Sequence, residues 1–351
     1  MSKILSMKAA QAAHEAWLAQ HCAVVPADLD QKRAAMANDA FGFFRATCFR
    51  FAARFAGLLP EGAAQPAVPS GGAAHLENFG TWRDAEGRLV WGVNDLDEAA
   101  TLPWPTDLLR LATSALLTRG APDAHVVQRA LLEGYNAGLA APRPFILDEA
   151  HAPMRDVAAP TPAARATFWA KIDRLADGEA PAPMRAALLA ALPPGSGPAR
   201  FAPRVAGLGS LGRPRFVAIA EWRGGRVVRE AKALVPSAWI AAGAGAVDAA
   251  ALAHGPQRAP DPWLTIGKAL VIRRLAPDSR KLNIAPGDEP AFLALLGAMG
   301  AELANFHGSA GGAAAIVAGL QAQRRHWLAQ GAETLAAAVR EDFVAWQKVM
   351  R

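Results

Sequence analysis

Apolar residues recur every three or four positions through residues 3–21 and 28–58, a period that predicts two amphipathic helices. In the second, Phe41, Phe44, Cys48 and Phe51 form one apolar face, punctuated by Arg45 and Arg50. The Pro/Gly/Ser-rich stretch 59–70 predicts a loop. A short alternating run at 89–94, preceded by the turn sequence Asp84-Ala85-Glu86-Gly87, predicts a hairpin. The helical period returns over 106–118, with Thr106 as its N-cap, and again over 122–139, 162–177 and 183–192.

The pattern changes at 192–198, Leu-Pro-Pro-Gly-Ser-Gly-Pro. Strand-like runs follow at 201–208, 215–222, 226–234 and 269–275, the middle two joined by a turn at Gly224-Gly225, with a short helix expected at 247–254. From residue 289 the period is helical again, over 289–307, 312–329 and 332–349. Helices, a polar hairpin, more helices, a small antiparallel sheet and a last set of helices make an α+β fold with the sheet as a lobe of its own.

Composition narrows the function classes. The chain has 351 residues, is 52% hydrophobic and carries a formal net charge of +6. Ala and Leu dominate the apolar part, which favours helix. The charge is spread, with no Lys/Arg block of the kind that binds nucleic acid, and Arg324-Arg325-His326 reads as a solvated helix face. Cys22 and Cys48 are too few and too far apart for a disulfide framework and read as buried thiols in a reducing compartment. The N-terminal residues lack the apolar core of a signal peptide, and 240–253 is too short and too weakly hydrophobic to span a bilayer. The expectation is a soluble, cytoplasmic protein without a nucleic-acid or membrane partner.

Two stretches carry candidate chemistry. Between Gly71 and Glu98 the chain gathers Gly72-x-x-His75-x-x-Asn78 and, after the hairpin, Asp95-x-Asp97. Asn78 and Asp95 are oxygen ligands of the kind Mg²⁺ takes in small number from protein, and Asp97 is a second candidate. Downstream, Gly207-x-Gly209-Ser210-x-Gly212 lies between two predicted strands. A dinucleotide-binding loop should open a helix instead, so this layout fits a loop that covers phosphates, as in protein kinases. Lys232, on the next strand, could reach the α- and β-phosphates. Asp107 reads either as a helix-cap carboxylate or as part of this set.

These residues also carry a resemblance. Gly72-Ala73-Ala74-His75-Leu76-Glu77-Asn78 resembles the catalytic loop of aminoglycoside phosphotransferases and related kinase-like enzymes, except at its second position. The segment 93–99 resembles their metal-binding segment, and Thr106-Asp107-Leu108 the aspartate that follows in the next helix. More closely, HLENFG (75–80), NDLDEA (94–99), DLLRLATS (107–114), GLGSLGRPRF (207–216), the Lys232 to Ser237 segment and RRLAP (273–277) resemble domain-of-unknown-function family 2252, an uncharacterised bacterial family.

The resemblance implies ATP and Mg²⁺ as cofactors and transfer of a phosphoryl group to an unknown acceptor. Gly207, Gly209, Ser210 and Gly212 would cover the phosphates and Lys232 would neutralise their charge. Asn78 and Asp95, with Asp97, would hold the metal, while His75 and Asp107 would support the loop. Arg45, Arg273 and Arg274 are further candidates for phosphate or acceptor contacts. The motif order is inverted relative to ordinary kinases, which implies a circularly permuted, two-lobed kinase-like fold. Residues 1–198 would be a helical lobe with the catalytic and metal-binding loops, 199–276 a nucleotide-covering β lobe, and 277–351 the helices completing the helical lobe. The helices of 122–195 are expected to shape the acceptor pocket. Ala73 stands where the family pattern has the catalytic aspartate, so the chain as written lacks that base. Either the branch is inactive, or it uses other chemistry, or this one residue has been replaced, which the retention of its neighbours favours. A nucleotide-binding pseudokinase and a nucleotidyl (AMP) transferase are the alternatives.

Overall fold

The predicted helix over 28–58 is three helices. In the computed structural model, which describes residues 4–149, 151–282, 287–309 and 311–351, Asp39 leaves helical geometry and caps a new start through Gly42 N at 2.7 Å. Thr47 breaks the chain again at φ −119°. The N-terminal elements are therefore α1 (Met7–His21), α2 (Pro26–Ala35), α3 (Ala40–Ala46), α4 (Cys48–Leu58) and α5 (Pro60–Ala63). Ser6 caps α1, and position 3 of the predicted helix lies outside the described residues. The expected loop at 59–70 holds α5 and strand β1 (Ala67–Ser70).

Next come β2 (Phe79–Arg83), β3 (Leu89–Val93), β4 (Ala100–Pro103), α6 (Pro105–Leu116), α7 (Ala124–Ala140) and β5 (Phe145–Ile146). Pro105 occupies the first turn of α6 and Trp104 its N-cap, so Thr106 is an interior first-turn residue and not the cap. Three helices follow: α8 (Ala152–Ala158), α9 (Pro162–Asp173) and α10 (Ala182–Ala191). The chain then enters β6 (Arg200–Pro203), β7 (Arg215–Trp222), β8 (Gly225–Ala233), α11 (Ala238–Ala241), α12 (Ala249–Ala253), β9 (Thr265–Ile266) and β10 (Leu270–Leu275). It ends in α13 (Glu289–Gly308), α14 (Ala313–Ala322) and α15 (Trp327–Val349). Among the described residues no helix is long and apolar enough to cross a membrane.

Among the described residues the strands form three antiparallel sheets: β1-β4, β2-β3-β5, and a five-stranded sheet in the order β6-β7-β8-β10-β9. Hairpin β7–β8 turns at Arg223-Gly224, one residue earlier than expected, because both residues sit at positive φ (48° and 79°), the geometry whose twist matches paired strands. Alternation along β7, β8 and β10 divides the sheet's faces. Ala218, Ala220, Ala231, Ala233 and Ile272 pack on Met184 and Leu188 of α10. On the other face Val217, Val228 and Leu275 pack on Ile172 and Phe168 of α9. On that same face, beyond α9, Arg215, Glu230, Lys232 and Arg273 stand where the pleat continues. The sheet thus uses α9 and α10 to cover its two apolar faces.

The largest core is helical. It runs from Phe51 and Phe55 through Trp91, Trp104, Leu108, Leu111 and Tyr135 to Phe306 and Leu335. Helices α7 and α13 meet along Gly134 and Gly138 on one and Gly297, Gly300 and Ala301 on the other, small residues that let the backbones touch. The β2–β3 hairpin is fixed to this core by a buried ion pair. Glu302 of α13 accepts from Val93 N (3.1 Å) and from Arg258 Nη1 (2.6 Å), and Arg258 Nη2 donates to Val93 O (2.7 Å). The result is a mixed α+β fold in which the loops leaving β1, β3 and β6 converge.

Candidate functional site

The loop between β1 and β2 is held by its backbone. Gly72 has φ +74°, and a Cβ there would lie 1.9 Å from Glu98 O, so glycine is required twice over. Asp107, fully buried in the first turn of α6, accepts from Gly71 N (2.8 Å) and Gly72 N (3.0 Å). Trp239 Nε1 donates to Gly72 O at 2.7 Å. Behind Asp107 stand His307 Nε2 at 3.4 Å and then Tyr135, whose hydroxyl is 2.8 Å from His307 Nδ1. The chain then presents Ala73, half-buried, to the interior of a cleft.

His75 follows and caps the 3₁₀ turn Leu76–Asn78, its Nδ1 accepting from Glu77 N at 3.0 Å. Burial, and after it the charges of Arg45, Arg110 and Lys281, hold its imidazole well below the ordinary value, so it is neutral at pH 7. Asn78 is not left-handed. It closes the turn through its N–H to His75 O (2.8 Å), and its Nδ2 donates to Asp95 O (3.2 Å), which ties the loop to the segment after β3.

Asp95 and Asp97 share one ammonium. Lys232 Nζ lies 2.6 Å from Asp97 Oδ1 and 3.3 Å from Asp95 Oδ1. Asp97 Oδ2 also accepts from Arg213 Nη1 at 3.0 Å, so both its oxygens are committed to the structure; burial and the neighbouring charge of Asp95 push its carboxyl up, against the pull of Lys232 and Arg213. Asp95 is the freer of the two, its side chain 39% exposed against 9% for Asp97. Burial would push its carboxyl up, but Lys232 and Arg273 outweigh that and hold it far below the usual carboxylate range. Its Oδ1 carries the contacts to Lys232 and Asp97 N, which leaves Oδ2 for a further ligand.

The glycine stretch is a 3₁₀ turn, Leu208–Ser210, packed against α3 and not a free flap. Lys32 of α2, buried, donates to Gly209 O at 2.8 Å. Ser210 accepts from Arg215 Nη2 at 2.7 Å and donates to Gly207 O at 3.2 Å. Gly212, at φ +97°, lies against Leu29 and Leu18 beneath α1 and α2.

These pieces enclose one cavity of about 290 Å³. Ala73, His75, Asn78, Asp95, Asp97, Gly207, Gly209 and Ser210 line it, as do Arg45, Arg273 and Arg274. Gly212 does not. Lys232 borders a smaller neighbouring pocket that shares Asp95, Asp97 and Arg273 with the main one. The helices of 122–195 contribute no lining residue among those described, contrary to expectation, because α9 and α10 are spent on the sheet. Nine Arg and Lys side chains line the cavity against five carboxylates, so it favours an anionic ligand.

Mg²⁺ fits part of this set. Among the described residues no three His, Cys, Asp or Glu side chains converge on one point. Asp95 Oδ2 and the Asn78 amide oxygen are the side-chain oxygens that could hold a hard cation such as Mg²⁺, which needs few ligands from protein.

Several contributors were not singled out from the sequence. Arg204, Arg213 and Arg215 flank or follow the glycine turn, Glu230 sits two residues before Lys232, and Trp239, His307 and Tyr135 brace the loop. The pairing of Glu230 with Lys232 on one face of β8 was the available signal, since two charges on the inward face of a strand need partners. No curated protein and no solved structure matches the chain. Residues 24–139, which span α2 to α7 and so include the Gly72 loop, Asp95 and Asp107, match the family described as an uncharacterized protein conserved in bacteria, domain-of-unknown-function family 2252.

Proposed function

We propose that the chain is an ATP- and Mg²⁺-binding, kinase-like phosphotransferase fold in circularly permuted order, impaired in turnover by Ala73. One observation carries the reading. Lys232 and Asp95, 137 positions apart, lie 3.3 Å from each other at the edge of the cavity that the glycine turn and the Gly72–Asn78 loop both line. Residues 199–276 would be the nucleotide-covering part, and 1–198 with 277–351 the helical part. Asp95 and Asn78 would hold Mg²⁺, which when bound neutralises charge on the transferred phosphoryl group. Gly207, Gly209 and Ser210 would face the phosphates. Neutral His75 would hold the turn and not act as the base.

Position 73 decides between turnover and binding alone. A carboxylate there would accept the acceptor's hydroxyl proton; a methyl group cannot, at a cost of roughly 10²–10⁴-fold in rate. The half-buried Ala73 methyl, lining the cavity where the base would have to stand, therefore favours, as a second reading, a pseudokinase that binds nucleotide without transfer.

Calorimetric titration with ATP, with and without Mg²⁺, tests binding; ATP turnover by the wild type and by Ala73→Asp tests chemistry. The expected result is Mg²⁺-dependent ATP binding by both and release of ADP raised about 100-fold or more in Ala73→Asp. Pyrophosphate in place of ADP would indicate nucleotidyl transfer, and absence of ATP binding would end the nucleotide reading.

A further inference from the structure

We propose that Arg204, Arg215 and Arg273, gathered on the buried carboxylate of Glu230, are the polyphosphate-binding wall of the cavity, and that this wall, not Lys232, dominates phosphate affinity. The proposal deepens the nucleotide reading and rests on it for the identity of the base, while the anion site stands separately.

The cluster follows from strand register. Glu230 of β8 faces Arg273 of β10, and Lys232 faces Arg215 of β7. Residues 230 and 232 share a face, so two acid–base systems lie side by side. Lys232 turns to Asp97 and Asp95. Glu230 takes the arginines: Arg215 Nη1 at 2.7 Å and Arg273 Nε at 2.8 Å on Oε1, with Arg204 Nη1 on Oε2. Glu230 is fully buried. Burial would push its carboxyl up, but the charges of Arg273, Arg215 and Arg204 prevail and hold it well below the usual range.

Three guanidinium groups on one carboxylate leave an excess of two positive charges. That excess opens to the cavity, which all three arginines line. The side chains of Arg204 and Arg273 are 29% and 26% exposed, whereas Arg215 is 4% and Lys232 3%. Arg204 spends Nη1 and Arg273 spends Nε on Glu230, so Nε and Nη2 of the first and both Nη groups of the second are donors left for a ligand. Paired N–H donors of this kind match phosphate oxygens two at a time. Arg215 Nη2 also donates to Ser210 Oγ, which joins the wall to the glycine turn, while Arg273 acts electrostatically on Asp95. A chain of phosphates laid along the wall would run from Ser210 toward Asp95. Lys232, by contrast, is 3% exposed and already holds Asp97 and Asp95 with two of its three N–H donors.

The test is calorimetric titration of the full chain with sodium tripolyphosphate and, separately, with ATP. Arg204→Gln and Arg273→Gln are each expected to weaken tripolyphosphate binding on the order of tenfold, and Lys232→Met by less than about threefold. Arg204 lies in the loop after β6 and partly in the open, so Arg204→Gln leaves the sheet intact, which a thermal melt verifies. Tripolyphosphate that fails to bind the wild type overturns the proposal. So does binding indifferent to Arg204 and Arg273, or a larger loss in Lys232→Met than in the arginine variants. Tripolyphosphate binding without ATP binding supports the anion wall and removes the nucleotide reading; ATP binding insensitive to both arginines does the reverse.

Discussion

Asp107 on α6 holds Gly72 from 3.0 Å, through the backbone N–H, and Gly71 from 2.8 Å in the same way. A helix in the middle of the core thereby fixes the path of the loop that presents position 73. Replacing Asp107 by Ala strands two buried N–H groups, each costing roughly 1–3 kcal/mol. Asp107→Ala should therefore lower the unfolding free energy in urea by about 2–6 kcal/mol, and Asp107→Asn, which keeps one acceptor oxygen, by about half as much. A change of less than about 0.5 kcal/mol for the alanine variant, the scale of an ordinary surface substitution, would show that Asp107 does not carry the loop.

Two glycines with nearly the same backbone separate conformational strain from collision. A Cβ at Gly72 (φ +74°) would lie 1.9 Å from Glu98 O, while one at Gly87 (φ +78°), in the hairpin turn, would meet nothing within 4 Å. Gly87→Ala should cost only the left-handed penalty of about 1–2 kcal/mol. Gly72→Ala adds a backbone collision and should cost about 3 kcal/mol or more. Equal losses in paired thermal melts would mean that Glu98 O yields freely.

Which parts of this were legible in the sequence follows from the same physics. Hairpin β7–β8 was, because two runs rich in strand-forming residues, 215–222 and 226–234, flank the turn signal Gly224-Gly225. The polar stretch 71–98 was, because so many polar groups in an apolar chain need a shared purpose. The breaks at Asp39 and Thr47 were not: the apolar face of 28–58 continues across them, and periodicity sees the face rather than the axis. Lys32 was hidden among Asp28, Asp30 and Arg33, a composition that reads as solvent-facing, although its own side chain is buried under the glycine turn. The arginines on Glu230 were hidden because a charge in a strand ordinarily marks the wet face. Only the register, which depends on β10 returning beside β8, brings Arg273 opposite Glu230.

The contact between Lys232 and Asp97 is open to a double-mutant cycle. Both side chains are nearly inaccessible, 3% and 9% exposed. Removing one partner of a buried pair usually costs about 3–5 kcal/mol, but here Arg213 still faces Asp97, so Lys232→Met should cost less, about 2–3 kcal/mol. The cycle with Asp97→Asn should return a coupling of about 1–3 kcal/mol. Additive losses would mean that the two residues stabilise the fold independently.

Lys32 makes a prediction about pH. Burial first, and the charge of Arg213 second, lower its ammonium to about 8 from an ordinary 10.5. Below pH 8 both folded and unfolded chains carry the proton, and the folded state bears the full cost of a buried cation. Between about 8 and 10.5 the unfolded chain keeps the proton that the folded chain has lost, so stability rises with pH, by up to about 1.4 kcal/mol per unit. Cys48 acts in the opposite sense. Burial pushes its thiol up to about 12 from an ordinary 9.0, so the unfolded thiol ionises first and stability falls above pH 9. That contribution is common to wild type and Lys32→Met and cancels in their difference. Urea midpoints measured from pH 7 to 10.5 should give a difference, wild type minus Lys32→Met, that is level to pH 8 and then climbs by about 2–3 kcal/mol. A difference that stays level throughout would mean that water reaches Lys32 and that its hold on Gly209 O is a surface contact.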